Sequence, residues 1–267
     1  MALWQAVVLG LVQGLTEFLP VSSSGHLVLF QQLLGVRGAG VAVDVALHVG
    51  TLAAVVWVYG RDLARVLRAF ARSLLRTGRP EPGARLAWAV LAATVPTGII
   101  GLAGENVFAG WFGSLRAVGA FWLVTGALLY WAGRRRAGRK GEADITLLDA
   151  LVVGMFQGLA IAPGLSRSGA TIAAALGRGL RPEDAARFSF LLSIPAVAGA
   201  AALELPELAT SPQAPLPAMA LGAAVAAVSG VWAIRYFLRI LDRGRLSGFA
   251  YYVWALGAVV LGVSALG

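Results

Sequence analysis

The chain has 267 residues, 58% hydrophobic and only 13% charged, against about 25% charged in a typical soluble domain. With a mean hydropathy of +0.78, this excludes an ordinary soluble globule and places the chain among integral membrane proteins. Cysteine is absent, which excludes disulfides, thiolate metal sites and thiol nucleophiles. The formal net charge of +9 does not announce a nucleic-acid partner, because the cations are segregated between apolar segments.

In chain order, residues 2–34 are apolar but interrupted, and Leu19–Pro20 ends the first piece. No early basic stretch leads into a short apolar core and a small-residue cleavage site, so no removable signal peptide is expected. The piece after the break, about Ser22 to Leu34, is shorter than the ~20 residues a helical span needs. Val43 to Gly60, Leu86 to Ala103 and Ser114 to Trp131 are long enough to cross. Residues 146–177 form a second interrupted region, split at Pro163–Gly164, whose second piece runs from about Ser166 to Leu176. Three more crossings follow: Ala185 to Leu203, Pro217 to Phe237 and Ser247 to Leu266.

Four clusters hold all but three of the 22 Lys and Arg residues. They are Arg61, Arg65, Arg68, Arg72, Arg76, Arg79 and Arg85; then Arg134, Arg135, Arg136, Arg139 and Lys140; then Arg178, Arg181 and Arg187; then Arg235, Arg239, Arg243 and Arg245. Cytoplasmic loops are enriched in Lys and Arg, so all four clusters belong inside, as solvated faces beside anionic headgroups. The links carrying Glu105, and Glu204 with Glu207, then fall outside. Six spans fit this pattern if each interrupted region begins and ends on one side. Both regions therefore read as re-entrant helix hairpins, since irregular backbone at membrane depth is tolerated only where protein buries it or a wet cavity borders it.

The interrupted stretch occurs twice. "LGLVQGLTEFLPVSSSGH" (9–26) aligns without gaps on "VGMFQGLAIAPGLSRSGA" (153–170), with seven of eighteen positions identical. The identities include Gly10/Gly154, Gln13/Gln157, Gly14/Gly158, Ser22/Ser166, Ser24/Ser168 and Gly25/Gly169. Three crossings separate the copies, so one hairpin enters from outside and the other from inside. The expected fold is an all-α polytopic membrane protein of six transmembrane helices plus two re-entrant helix hairpins in an inverted-topology repeat. It forms one domain over residues 1–267, with repeats of about 1–133 and 145–267. Such folds place their sites near the bilayer midplane, where broken helices of the two halves meet.

The copies differ where chemistry is to be sought: Glu17 stands opposite Ile161, Ser23 opposite Arg167, and His26 opposite Ala170. Gln13 and Glu17, four apart, share one helical face. Ser22, Ser23 and Ser24 open the next helix, where hydroxyls also serve as caps. His26 is a ready general acid or base. Ser166, Arg167 and Ser168 present backbone N–H groups at a helix start, an anion site, to which Arg167 adds a bidentate fork for phosphate. An Arg167–Glu17 ion pair that merely joins the hairpins is the plainer reading. His48, near the outer end of its span, reads as packed or pore-facing, and Trp111, Trp122 and Trp131 as interfacial or packing residues.

An anion site, hydroxyls, an imidazole and a carboxylate at midplane point to phosphoryl chemistry on a lipid. The chain resembles the undecaprenyl-diphosphate phosphatase family, also called bacitracin-resistance proteins. Gln13 and Glu17 match its [E/Q]-x-x-x-E motif, and Ser22 to His26 its serine-rich Gly-His segment. Pro163, Gly164, Ser166, Arg167, Ser168 and Thr171 match its P-G-x-S-R-S-x-x-T motif. The resemblance runs along essentially the whole chain. It implies release of phosphate from undecaprenyl diphosphate, recycling the lipid carrier of cell-wall synthesis and conferring bacitracin resistance, in the bacterial inner membrane with the site opening to the periplasm. It also implies a divalent cation, Mg²⁺ or Ca²⁺. Position 13 is a neutral Gln, so no two-carboxylate cation site exists there, although Gln13 carbonyl, Glu17, waters and substrate phosphates remain as ligands.

On this reading Ser23 attacks the terminal phosphorus with His26 as its base, and direct attack by water activated by His26 or Glu17 is the alternative. Glu17 holds the metal or orients His26, and Arg167 is the fixed cation. Ser22, Ser24, Gly164, Ser166, Ser168 and Thr171 contact the diphosphate. The other membrane lipid-phosphatase superfamily also needs a histidine about six residues after its Ser-Arg pair, where this chain is apolar. Two further classes compete: a carrier that flips a lipid phosphate through the same cavity, and a non-catalytic lipid-binding subunit. The partners expected are a polyprenyl diphosphate and membrane lipids; a homodimer is compatible with the sequence.

Overall fold

The computed structural model describes residues 1–36, 40–75, 81–135, 138–210, 216–241, 244 and 246–266. Arg76, Arg79, Arg136, Arg243 and Arg245, and the side chains of Glu204 and Glu207, lie outside the described residues. Among those described, ten α-helices form and no strand does: α1 Leu3–Phe18, α2 Ser23–Leu33, α3 Gly40–Leu75, α4 Pro82–Phe112, α5 Leu115–Gly133, α6 Leu147–Leu159, α7 Arg167–Gly177, α8 Pro182–Thr210, α9 Leu216–Leu241 and α10 Ser247–Leu266. A short 3₁₀ turn, Glu142–Asp144, precedes α6. Six helices (α3, α4, α5, α8, α9 and α10) are long and apolar enough to cross a membrane, so the protein is a multi-pass membrane protein.

The boundaries follow from local chemistry. α1 stops at Phe18 because Leu19, ahead of Pro20, is extended at φ −71°, ψ 139°, as the ring of a following proline requires. α2 and α7 each begin after a serine cap: Ser22 Oγ accepts from the Gly25 N–H at 3.3 Å, and Ser166 Oγ from the Gly169 N–H at 3.1 Å. α6 opens on a reciprocal Thr146–Asp149 cap. α2 and α7 have eleven residues each, too few to span.

The spans run further than hydropathy alone marks. α3 has 36 residues, about 54 Å at 1.5 Å per residue, and its last turns carry Arg61, Arg65, Arg68 and Arg72. Arg85 lies in α4, Arg187 in α8, and Arg235 and Arg239 in α9. These arginines thus continue the helices, because Arg, Leu and Ala are all strong helix formers, whereas Arg134, Arg135, Arg139, Lys140, Arg178 and Arg181 lie between helices. Glu105 likewise lies within α4.

Nor are the basic ends only solvated. Arg65 of α3 grips Glu142 at 2.5 and 3.0 Å, and Arg187 of α8 reaches the same carboxylate at 3.5 Å. Asp149, fully buried in the first turn of α6, binds Arg178 at 2.6 Å and Lys140 at 3.0 Å. Burial pushes its carboxyl up, but the Thr146 N–H, Arg178 and Lys140 outweigh this and hold it at about 2.

The helices pair across the two halves of the chain. α1 packs on α9 and α6 on α4, α5 packs on α10, and α3 lies against α8 and α9. The glycines shared by the two copies of the repeat make the first two pairings. A Cβ at Gly10 would lie 2.5 Å from the Gly222 oxygen and one at Gly14 2.0 Å from Ser229 Oγ, both on α9. A Cβ at Gly154 would lie 2.1 Å from the Ala93 oxygen and one at Gly158 2.8 Å from Ile100 Cβ, both on α4. Small residues that let backbones approach are how apolar helices associate in lipid.

Candidate active site

The turn between α1 and α2 meets the turn between α6 and α7. The Gly164 N–H donates to Ser22 Oγ at 3.1 Å, and Ser168 Oγ reaches the Leu19 oxygen at 3.4 Å. Two residues of α5 brace the pair. Buried Trp122 donates to the Val21 oxygen at 2.9 Å. Thr125 donates to the Gly164 oxygen at 2.8 Å and accepts from the Ser166 N–H at 3.0 Å. Gly164 has φ +98°, open to glycine, and Ser22 holds φ +69°, uncommon for a residue with a side chain and a store of local strain.

The N-termini of α2 and α7 therefore converge, and their partial positive charges favour an anion between them. In α7, the Gly169 and Ala170 amides are taken by Ser166, leaving those of Arg167 and Ser168 without an intrahelical acceptor. The Ser166 amide, expected to face an anion, is bound to Thr125 instead.

Glu17 is the hub. Its Oε1 accepts from the guanidinium of Arg167. Its Oε2 accepts from Ser23 Oγ at 2.5 Å and from Gln13 Nε2 at 3.1 Å, and lies 3.7 Å from His48 Nε2. Arg167 also approaches the Ser189 oxygen at 3.4 Å. Gln13, Glu17 and Ser23 are buried, whereas 17% of the Arg167 side chain and 29% of that of His48 remain exposed. Access to the hub is therefore past these two side chains.

His26 stands apart from this cluster. Its Nδ1 lies 2.8 Å from the Ser22 oxygen and its Nε2 2.8 Å from Tyr252 Oη of α10, with the Trp122 ring edge-on at 5.2 Å. The three-residue spacing does not join Ser23 to His26, because the Ser23 hydroxyl turns to Glu17 and both His26 nitrogens are engaged elsewhere. Glu17 likewise borders His48 and not His26.

The remaining hydroxyls are largely committed to the turns. Ser22 and Ser24 pair at 3.2 Å, as Ser166 and Ser168 do at 3.3 Å. Thr171 Oγ1 binds the Arg167 oxygen at 2.8 Å and Ser189 Oγ at 2.6 Å, fixing α7 to α8. Tyr252, Thr125 and Ser189 escaped the sequence reading, and His48 entered it only as packed or pore-facing. A trace of His48 was there: with Asp44 it forms an i, i+4 polar pair near one end of an apolar span.

For a divalent cation the fitting atoms are hard oxygens. Gln13 Oε1 is buried without a hydrogen-bond partner, and its amide adjoins Glu17. Among the described residues no three His, Cys, Asp or Glu side chains cluster, so such an ion would draw its other ligands from water and phosphate, as Mg²⁺ commonly does.

The family model described as bacitracin resistance protein BacA matches residues 6–259. The chain is similar to the undecaprenyl-diphosphatase of Rubrobacter xylanophilus, at 49% identity over 273 residues, covering 97% of each chain. It is 44% identical to that of Desulfatibacillum aliphaticivorans, covering 96% of this chain and 97% of the relative. It is 42% identical to that of Carboxydothermus hydrogenoformans, covering 99% and 98%. With two turns braced around one carboxylate and this likeness from end to end, the chain belongs to the bacitracin resistance protein BacA family.

Proposed function

We propose that this protein hydrolyses undecaprenyl diphosphate to undecaprenyl phosphate and inorganic phosphate, recycling the lipid carrier of cell-wall synthesis and so conferring bacitracin resistance. The observation that carries this is the Ser23–Glu17–Arg167 cluster: a nucleophile, a proton acceptor and a phosphate-binding cation within one hydrogen-bonded unit. The relatives' shared name favours hydrolysis over carriage of the intact lipid.

Arg167 binds the terminal phosphate, competing with Glu17 for the guanidinium and freeing Glu17 to act. Ser23 Oγ attacks the terminal phosphorus in line, its proton passes to Glu17, and the anhydride bond to undecaprenyl phosphate breaks. Water then cleaves the phosphoserine: its oxygen and both its protons leave with the phosphate, and Glu17 returns its proton to Ser23 Oγ. His26 supports the turn through Ser22 and Tyr252. The helix N-termini stabilise charge spreading over the transferred group. Gln13 and Glu17 would hold a divalent cation, Mg²⁺ or Ca²⁺, which when bound neutralises charge on the diphosphate.

The same proposal covers topology: two re-entrant hairpins, α1–α2 and α6–α7, in an inverted repeat within one domain of the bacterial inner membrane. The gap-free sequence repeat supports it, as do the reciprocal pairings of α1 with α9 and α6 with α4. The mouth faces the periplasm, with a lateral opening for a polyprenyl tail that would cost ~0.8 kcal/mol per CH₂ to remove from lipid.

Two experiments test this. Pure protein in detergent should release phosphate, and a chelator should stop it; a carrier releases none. Leu33→Cys, at the exposed end of α2, should react with an impermeant thiol reagent outside intact cells, and Leu75→Cys only after permeabilisation. The reverse pattern would overturn the orientation.

A further inference from the structure

We infer that His48 is a third protein donor to the divalent cation, beside Glu17 and Gln13; the inference rests on the cation assignment just proposed. His48 lies on α3, and its Nδ1 is 2.7 Å from the backbone oxygen of Asp44, one turn earlier. A carbonyl only accepts, so Nδ1 carries a proton, and in the neutral imidazole Nε2 presents a lone pair. That lone pair faces Glu17 Oε2 across 3.7 Å, beyond hydrogen-bond length. In that form two acceptors face each other, an arrangement that a cation relieves.

Gln13 supplies the second observation. Gln13 is fully buried, its Oε1 has no hydrogen-bond partner, and its Nε2 lies 3.1 Å from the same Glu17 oxygen. Neighbouring ligands of an octahedral ion, each about 2.1 Å from it, sit about 3 Å apart. The 3.7 Å between His48 Nε2 and Glu17 Oε2 is therefore a gap that such an ion would close with sub-ångström movement. A histidine whose other nitrogen donates to a carbonyl is also the usual form of a metal-ligating imidazole.

The second half of the chain supplies an internal control. Gln157, the repeat partner of Gln13, also has an unpartnered Oε1. Yet Ile161 stands where Glu17 would be, and the chain's two histidines are His26 and His48. An orphaned amide alone is thus a common legacy of both copies; only the first is joined by a carboxylate and an imidazole.

One nitrogen among oxygens alters selectivity. Imidazole suits first-row transition ions, whereas Mg²⁺ and Ca²⁺ prefer oxygen throughout. Before substrate adds its phosphates, the site should bind Mn²⁺ more tightly than Mg²⁺ or Ca²⁺.

The test uses the full chain, purified in detergent without substrate, with Mn²⁺ alone as probe. Pulsed electron paramagnetic resonance should detect imidazole nitrogen coupled to bound Mn²⁺. The coupling should vanish in His48→Gln and persist in His26→Gln. Mn²⁺ affinity should fall at least about tenfold in His48→Ala, the lower end of what is lost when even a supporting partner is removed. Thermal melting of each variant checks that it is folded, and the glutamine variant keeps a polar side chain of similar size. Bound Mn²⁺ that is lost in Glu17→Gln but shows no nitrogen coupling, or coupling that survives in His48→Gln, would overturn the role of His48 and leave the cation site standing. Mn²⁺ binding indifferent to both Glu17→Gln and His48→Gln would overturn the cation assignment itself, and this inference with it.

Discussion

Arg167 and Glu17, 150 positions apart, form a largely buried ion pair that joins the start of α7 to the end of α1. One carboxylate oxygen is held by the guanidinium, while the other receives the Ser23 hydroxyl. A phosphate that draws Arg167 away therefore acts on the nucleophile at one remove, through the carboxylate they share.

Arg167→Ala should reduce phosphate release by at least about 10³-fold, the upper range for loss of one transition-state donor. Lysine should rescue poorly, because it lacks the planar fork. Removing one partner of a buried pair also costs about 3–5 kcal/mol, so melting should be measured alongside. The double variant Glu17→Gln, Arg167→Met should recover most of the stability and none of the turnover. Recovery of neither would mean that packing around Arg167 dominates its role.

Ser23→Ala should stop turnover while leaving substrate affinity within a few-fold. Acid quenching during hydrolysis of substrate labelled in its terminal phosphate should trap label on Ser23, and Glu17→Gln should prevent the trapping. Substantial turnover by Ser23→Ala would favour direct attack by water.

His26 and Tyr252 give a contrasting case. Both His26 nitrogens have partners, so Tyr252→Phe leaves one buried acceptor unpaired, a cost of about 1–3 kcal/mol. The variant should melt earlier and yet retain turnover within about twofold once folded. A large loss of kcat at unchanged melting would place His26 in proton transfer.

Asp149 predicts an acid limit. Its carboxyl is held at about 2, below the ~3.9 of an unfolded aspartate. A lowered native value contributes stability that is complete above about pH 4 and is lost as pH falls toward 2. The melting temperature should therefore fall across that window, and Asp149→Asn should flatten the fall while lowering the plateau. An unaltered profile in the asparagine variant would assign acid loss to other carboxylates.

Much of the architecture is legible in sequence because it rests on local rules. Pro20 ends α1, Ser22 and Ser166 cap the helices that follow, and Gln13 meets Glu17 because they are four apart. The repeated Gly10/Gly154 and Gly14/Gly158 pairs mark close approach and not chemistry, a distinction visible only once α9 and α4 lie against them. The contacts of His48 and Tyr252 were not legible for a different reason. Each comes from a span that is apolar for most of its length, so hydropathy sets its crossing but not its rotation, and rotation decides which side chain faces the hub. Lone hydroxyls mislead similarly: Thr171 and Ser168 look like ligands in a motif, but spend their hydrogen bonds on joining helices.

The distance along the chain between Glu17 and Arg167 has a consequence for synthesis. At 5–20 residues per second, the carboxylate emerges about 8–30 s before its counter-cation exists. The turn that will surround it is equally incomplete, since Gly164, which donates to Ser22, and Thr125, which braces Gly164, are also made later. A hairpin bearing an unmatched carboxylate gains little by settling into lipid, so the first hairpin should dock last, folding inward only as the second is delivered. Arrested chains ending after α5 should leave Phe18→Cys open to a water-soluble thiol reagent, and chains extending past α9, on which α1 packs, should protect it. Birth order and assembly order would then run opposite ways.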